Sequence, residues 1–201
     1  MKVASRHWPR NGWMPSADVM VIGLVGAALY AVFNWIAWDI LIPGTDDVAI
    51  RPHYGLLTFF GFAFGPLAGL LTGLIGNAVG DVLGGFNPLS SWWWTVANGL
   101  AGMLAGVLSI VLVRSAAEGR ALLVMAAIAA VAATMLGFGF IWIELVTQPE
   151  MTPRQILLTE YIPVVVGNSL AAAVVTPVLV LAWRPLHEQL AAASMEQEPR
   201  G

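Results

Sequence analysis

The sequence predicts an all-α membrane protein, a bundle of six transmembrane helices with both termini cytoplasmic. Three observations carry that prediction. Only 10% of the 201 residues are charged and 58% are hydrophobic, with a mean hydropathy of +0.78, whereas an ordinary soluble domain carries about 25% charged residues. Gly55–Val113 runs for 59 residues with one charge, Asp81, and Ala121–Ile143 and Tyr161–Trp183 are 23 residues each with none; about 20 apolar residues cross a bilayer as a helix. The third observation is where the cations fall between those runs.

Residues 1–17 form a polar cytoplasmic segment carrying Lys2, Arg6 and Arg10. The first apolar run, Val19–Trp38, holds 20 uncharged residues, too long for a signal peptide's apolar region, and has Asn34, Trp35 and Trp38 where a small-residue cleavage site would fall. It is read as a retained helix. The stretch from 48 to 83 is divided by Gly65-Pro66, which fits one kinked helix or two short ones joined by a turn. Cytoplasmic loops are enriched in Lys and Arg. Two crossings there put Lys2, Arg6, Arg10, Arg114, Arg120, Arg184 and Arg200 inside against Arg51 and Arg154 outside; one crossing leaves four inside against five outside. Six crossings follow, with the remaining helices at about 92–113, 121–146 and 160–183. The expected transmembrane domain is 18–184, and 185–201 is expected to be a frayed polar tail.

The glycines at 55, 61, 65, 69, 73, 76 and 80 predict two short helices buried among neighbours, because small residues let helix backbones approach in lipid. Gly23, Ala27 and Ala31, spaced by four, form a similar stripe on helix one. Spacing alone fits either a packing seam inside the chain or a docking face for another protein.

Composition excludes several function classes. A net charge of -3 without a basic stripe excludes nucleic-acid binding, and the absence of cysteine excludes thiolate chemistry and disulfides. His7, His53 and His187 are not at metal-ligand spacing with one another or with another ligand, so no metal or cofactor is expected. Ser90-Ser91 has no nucleophile elbow, and no phosphate-binding glycine loop is followed by lysine, so catalysis is not expected and any ATP-driven step belongs to another chain. Asn87-Pro88 occurs once, whereas a water channel of the type it resembles needs two copies.

Candidate binding residues concentrate at the outer side. It holds Asp39, Asp46, Asp47, Asp81, Glu144, Glu150 and Glu160 with two arginines, which favours neutral or cationic solutes. Asp39, Asp81, Glu144 and Glu160 lie at helix ends, where a costly ionisable group faces a cavity or a partner. Trp8, Trp13 and Trp183 read as interface anchors, while Trp35, Trp38, Trp92, Trp93, Trp94 and Trp142 fall outward. Three consecutive tryptophans point about 100° apart on a helix, so at least one turns inward and offers a stacking face to a flat heteroaromatic ligand. Asn34, Asn77, Asn98 and Asn168 add amides inside helices, available to a ligand or to neighbouring helices.

Read in order, Ile50-Arg51-Pro52, Phe64-Gly65-Pro66, Gly69, Gly73, Gly76-Asn77-Ala78-Val79-Gly80-Asp81, Trp92-Trp93-Trp94, Asn98-Gly99 and Gly102 resemble the substrate-binding S components of energy-coupling factor (ECF) vitamin transporters, in particular the ECF-type riboflavin transporter substrate-binding family. Where the family often has histidine this chain has Asn77, and of its tryptophans Trp92 and Trp94 match the family order while Trp93 is additional. The resemblance implies a non-enzymatic, high-affinity vitamin-binding subunit in the cell membrane, with riboflavin or a related flavin as ligand and thiamine or its hydroxymethylpyrimidine precursor as the alternative. It implies a site beneath the outer loops, with Asn34, Trp38, Asp39, Asn77, Asp81, Trp92, Trp94, Asn98, Trp142, Glu144, Glu160 and Asn168 as binding residues. It also implies a transmembrane coupling subunit docked on Gly23, Ala27 and Ala31, driven by two cytoplasmic ATPases. The rivals from another class are a membrane-embedded enzyme, which would need a convergent base and nucleophile, and a stand-alone channel, which would need a polar file through the membrane.

Overall fold

The computed structural model describes residues 15–36, 40–45, 48–113 and 119–196. The elements are α1 (Ala17–Ile36), β1 (Ile40–Leu41), β2 (Ala49–Ile50), α2 (Gly55–Phe64), α3 (Pro66–Leu83), α4 (Trp92–Leu112), α5 (Arg120–Phe138), α6 (Glu144–Thr147), α7 (Pro153–Gln155) and α8 (Ile162–Glu196). A 3-10 turn, Pro52–Tyr54, leads into α2, another, Gly139–Ile143, joins α5 to α6, and a π-helical stretch, Ile156–Tyr161, leads from α7 into α8. The architecture is all-α apart from the two-residue strands, with six principal helices, five of them long and apolar enough to cross a membrane. The exception is α2, whose ten residues extend only about 15 Å.

Gly65 settles the ambiguity at 48–83. Its φ of +101° is open to glycine at little cost, and Pro66 then starts α3 at a position that needs no N–H. The result is a hairpin and not a kink: a Cβ on Gly69 would fall 2.6 Å from the Gly61 Cα, although the two residues would lie about 12 Å apart along one continuous helix. Gly102 of α4 enters the same seam, where a Cβ would meet the Gly69 carbonyl oxygen at 2.2 Å, and at Gly106 it would meet the Pro66 nitrogen at 2.4 Å. Three backbones are thus in contact with no side chain between them.

Around α2 the other helices pack in the order α1, α3, α4, α5, α8, each against the next. Leu57, Thr58, Phe59, Phe60, Phe62 and Ala63 of α2 are all buried, so a helix too short to cross the bilayer is shielded by protein. Its depth can be read from α8. Thr176 donates to the Gly55 carbonyl at 3.2 Å and lies 2.6 Å from the Thr58 hydroxyl, and Thr176 is about 21 Å along α8 from Ile162. At its other end Phe64 meets Trp183 edge to face at 5.0 Å. Therefore α2 fills the end of the bundle near the α4–α5 connection and stops well short of the opposite end. That opposite end is closed by the antiparallel β1–β2 hairpin, in register Ile40↔Ile50 and Leu41↔Ala49, with Ile50 packed over Gly167 of α8.

Two expectations are corrected. The strands were not expected; Ile42 and Val48 extend their pairing, and Gly44 (φ +82°) turns the loop between them. The segment after Trp183 is not frayed near its start, because α8 continues as helix to Glu196 and is about 52 Å long, well beyond the roughly 30 Å hydrocarbon core.

The seam makes a direct prediction. Gly102→Ala gains about 1 kcal/mol of helix propensity but forces a methyl into backbone, and a net loss of about 1–3 kcal/mol is expected. Gly139→Ala, where a Cβ meets nothing within 4 Å, should be neutral. Thermal unfolding of the two variants in the same detergent checks the difference.

Candidate functional site

Where α2 is missing, side chains from the surrounding helices converge. Tyr30, Tyr54, Trp93, Phe138, Ile141, Ile156, Val164 and Val165 form one buried cluster there, with Val48 of the hairpin connection and the half-buried Trp94, Trp142 and Tyr161 packed on it. A separate cluster, Phe59, Phe60, Phe62, Leu122, Ala126 and Val180, fills the end occupied by α2.

A polar floor lies at the level of the first α2 turn, where the Tyr30 ring meets His53 edge to face at 5.1 Å. The Tyr30 hydroxyl donates to Asn98 Oδ1 at 3.4 Å. Asn98 Nδ2 donates to Asn77 Oδ1 at 3.1 Å and to the Trp94 carbonyl at 2.9 Å. Asn77 Nδ2 in turn donates to Asp81 Oδ2 at 2.8 Å and Thr95 Oγ1 at 3.0 Å. Asn34, half-buried, lies over Gly80 and also hydrogen-bonds Asp81, which Arg51 faces electrostatically. Asn77 and Asn98 therefore spend both N–H donors within the protein. They fix α1, α3 and α4 to one another and hold the half-buried Asp81 at the rim.

The walls carry the other expected residues. Trp93 is buried and donates its indole N–H to Glu144, itself 1% exposed, tying α4 to α6. Trp94 is half-buried and meets Phe138 at 5.9 Å; Trp142 lies 6.2 Å from Tyr161, whose hydroxyl donates to the Met135 carbonyl. Glu160 is buried on the π-helical stretch and Asn168 on α8. Trp92 is 39% exposed and rests on Trp93 and Phe140, so it lies at the periphery. Trp38 and Asp39 lie outside the described residues, as do Asp46 and Asp47.

The residue that sequence reasoning set aside is Trp93, the most deeply buried of the three tryptophans. Its signal was present: Ala97, Ala101 and Ala105 follow at intervals of four and define the inward face of α4. Tyr30 and Tyr54 were also missed, although Tyr30 lies one helical turn from Asn34. The stripe proposed for docking packs within the chain. Ala27 and Ala31 are buried, Gly23 lies against Leu71 and Ala68, and Gly76 packs on Tyr30 and the Ala27 carbonyl, so the chain's own α3 covers the stripe. The face of α1 left open is Val21, Leu24, Val25 and Val32.

Among the described residues no group of three His, Cys, Asp or Glu side chains is placed to hold a metal ion. The geometry brings aromatic side chains, a hydrogen-bonded amide network and separate buried carboxyl groups together at one end of the bundle.

A family model described as ECF-type riboflavin transporter, S component, matches residues 15–185. The chain is also 32% identical over 92 residues to a UPF0397 protein of Streptococcus gordonii, an alignment that covers 45% of this chain and 46% of that protein. The chain thus spans about half the length of this curated relative. No solved structure matches it significantly.

The floor can be tested apart from any ligand. Asn98→Leu removes two interhelical bonds and one to the Trp94 carbonyl within α4 and takes away the donor to Asn77 Oδ1, for an expected loss of about 1–2 kcal/mol in a bilayer-like medium. Trp35→Ala, at a site 58% exposed, should change thermal stability little.

Proposed function

The chain belongs to the ECF-type riboflavin transporter S component family, and from that membership we propose that it is a high-affinity vitamin-binding subunit that captures riboflavin or a related flavin at the outer face of the cell membrane. The observation that carries this reading is the short reach of α2, beyond which Tyr54, Trp93, Trp94 and Phe138 gather at one end of the bundle beside a polar network. A flat tricyclic ring needs stacking faces around it and few, well-placed polar contacts. The family is a transporter component and not an enzyme class. The buried carboxyls of Glu144 and Glu160 favour thiamine or its hydroxymethylpyrimidine precursor as the second reading, since a cationic or amine-bearing ring pairs with them.

The membrane orientation belongs to the same proposal. With both termini inside, the β1–β2 hairpin and the 84–91 and 139–152 connections face out, over the aromatic enclosure. Asn34, Asp81, Trp94, Trp142, Glu144, Glu160 and Asn168 then serve the ligand, Asn77 and Asn98 position the floor and Trp92 guards the periphery, while Trp38 and Asp39 are assigned by the resemblance alone. Delivery into the cell requires a transmembrane coupling subunit and two ATPase subunits, as the resemblance implies. With Gly23, Ala27 and Ala31 held by α3, the coupling subunit meets the open face of α1.

Two measurements check the reading. Purified protein titrated with riboflavin should show saturable quenching of tryptophan fluorescence, with folate binding poorly because the outer half is acidic; saturable folate binding without riboflavin binding overturns it. Single cysteines in 43–45 and 148–152, on this cysteine-free background, should react with an impermeant thiol reagent in intact cells, while one at Gly119 should not. The reverse pattern overturns the orientation.

A further inference from the structure

Two buried oxygens at this end of the bundle, on side chains only 1% exposed, have no hydrogen-bond partner among the described residues. Glu144 is 1% exposed; its Oε1 accepts the Trp93 indole N–H, while its Oε2 is buried with no hydrogen-bond partner among the described residues. The same holds for Asn168 Oδ1, on a side chain that is also 1% exposed. Both atoms are acceptors. A buried acceptor left unpaired carries the full cost of its desolvation, and a carboxylate has room for several donors where Trp93 supplies one. Trp93 fixes the rotamer of Glu144 through a bond that does not involve Oε2, so the second oxygen is held in place without being used.

We infer that Glu144 is a specificity-determining residue, its Oε2 accepting a hydrogen bond from an N–H group on the heteroaromatic part of the ligand while Trp93 holds Oε1. This rests on the reading of the enclosure as a site for a heteroaromatic vitamin and adds to it the polarity of one contact: the protein accepts and the ligand donates. Asn168 Oδ1 supplies a second acceptor of the same kind. In a flavin the donor is the imide N–H of the ring, and in thiamine or its precursor it is the amino group of the pyrimidine. A site built to receive an N–H rejects an analogue that lacks it far more strongly than an apolar pocket rejects an added methyl group, because the buried acceptor is then left unpaired.

The purified protein and its Glu144→Gln variant are titrated with riboflavin and with riboflavin methylated on the imide nitrogen. Glutamine keeps an oxygen for Trp93 and places an N–H where Oε2 was, so shape and the tryptophan bond are preserved while one acceptor becomes a donor. The wild type should bind riboflavin at least roughly tenfold more tightly than the methylated form, and Glu144→Gln should lose roughly tenfold to a hundredfold on riboflavin and little on the methylated form. Equal discrimination in both proteins overturns the inference, and so does a wild type that does not discriminate, a result that stands even if the variant fails to fold. If the wild type binds no flavin, the flavin reading has failed, and the same comparison is made with thiamine and its analogue lacking the pyrimidine amino group. Equal affinity for that pair, or binding of neither, overturns the role of Glu144.

Discussion

The contact on which the rest of the structure depends is the close approach of α2, α3 and α4 at Gly61, Gly69 and Gly102. Lipid gives helices no hydrophobic reason to associate, so association relies on tight packing and interhelical polar contacts. Glycine at all three positions brings carbonyl oxygens to where side chains would stand, and Gly65 folds the chain back so that α3 lies along α2. A ten-residue helix is then enclosed by others of 18 residues or more. One end of the bundle has an apolar core built around α2, and the other has a second core in which amides and carboxyls lie among the aromatic side chains.

Those polar groups fall into two kinds. Asn77 and Asn98 form a closed network with Tyr30, Thr95 and the Trp94 carbonyl, which satisfies their donors and fixes three helices in place. Glu144 and Asn168 are as deeply buried yet each leaves an acceptor open. The first kind is what a membrane protein needs for packing, whereas the second is a standing cost that a bound ligand would relieve. The buried Trp93–Glu144 pair links the two, being a tether between α4 and α6 that also orients a carboxyl.

Much of this was legible in the sequence for physical reasons. Long uncharged runs specify membrane helices irrespective of tertiary contacts, and Gly65-Pro66 marked the break that became the hairpin. The family motifs around Gly76–Asp81 and Asn98–Gly102 led to the correct family. Which face of a helix turns inward was harder to read. Gly23, Ala27 and Ala31 form a small-residue stripe, which shows that something packs closely but not whether the neighbour is α3 or another protein. Three adjacent tryptophans showed that one had to be buried, and the choice of Trp93 depended on the alanines that follow it. The depth of α2 depends on Thr58 and Thr176, separated by more than a hundred residues in sequence, which no local pattern connects.

The central claim is that the ligand occupies the end of the bundle that α2 does not reach. A crystal structure of the protein grown with riboflavin tests it most directly. The account predicts the ring above Tyr54, between α4, α5 and α8, with the hairpin of Ile40–Ile50 closed over it. A ring bound at the Phe64–Trp183 end, or on the outward face of α1, would contradict it.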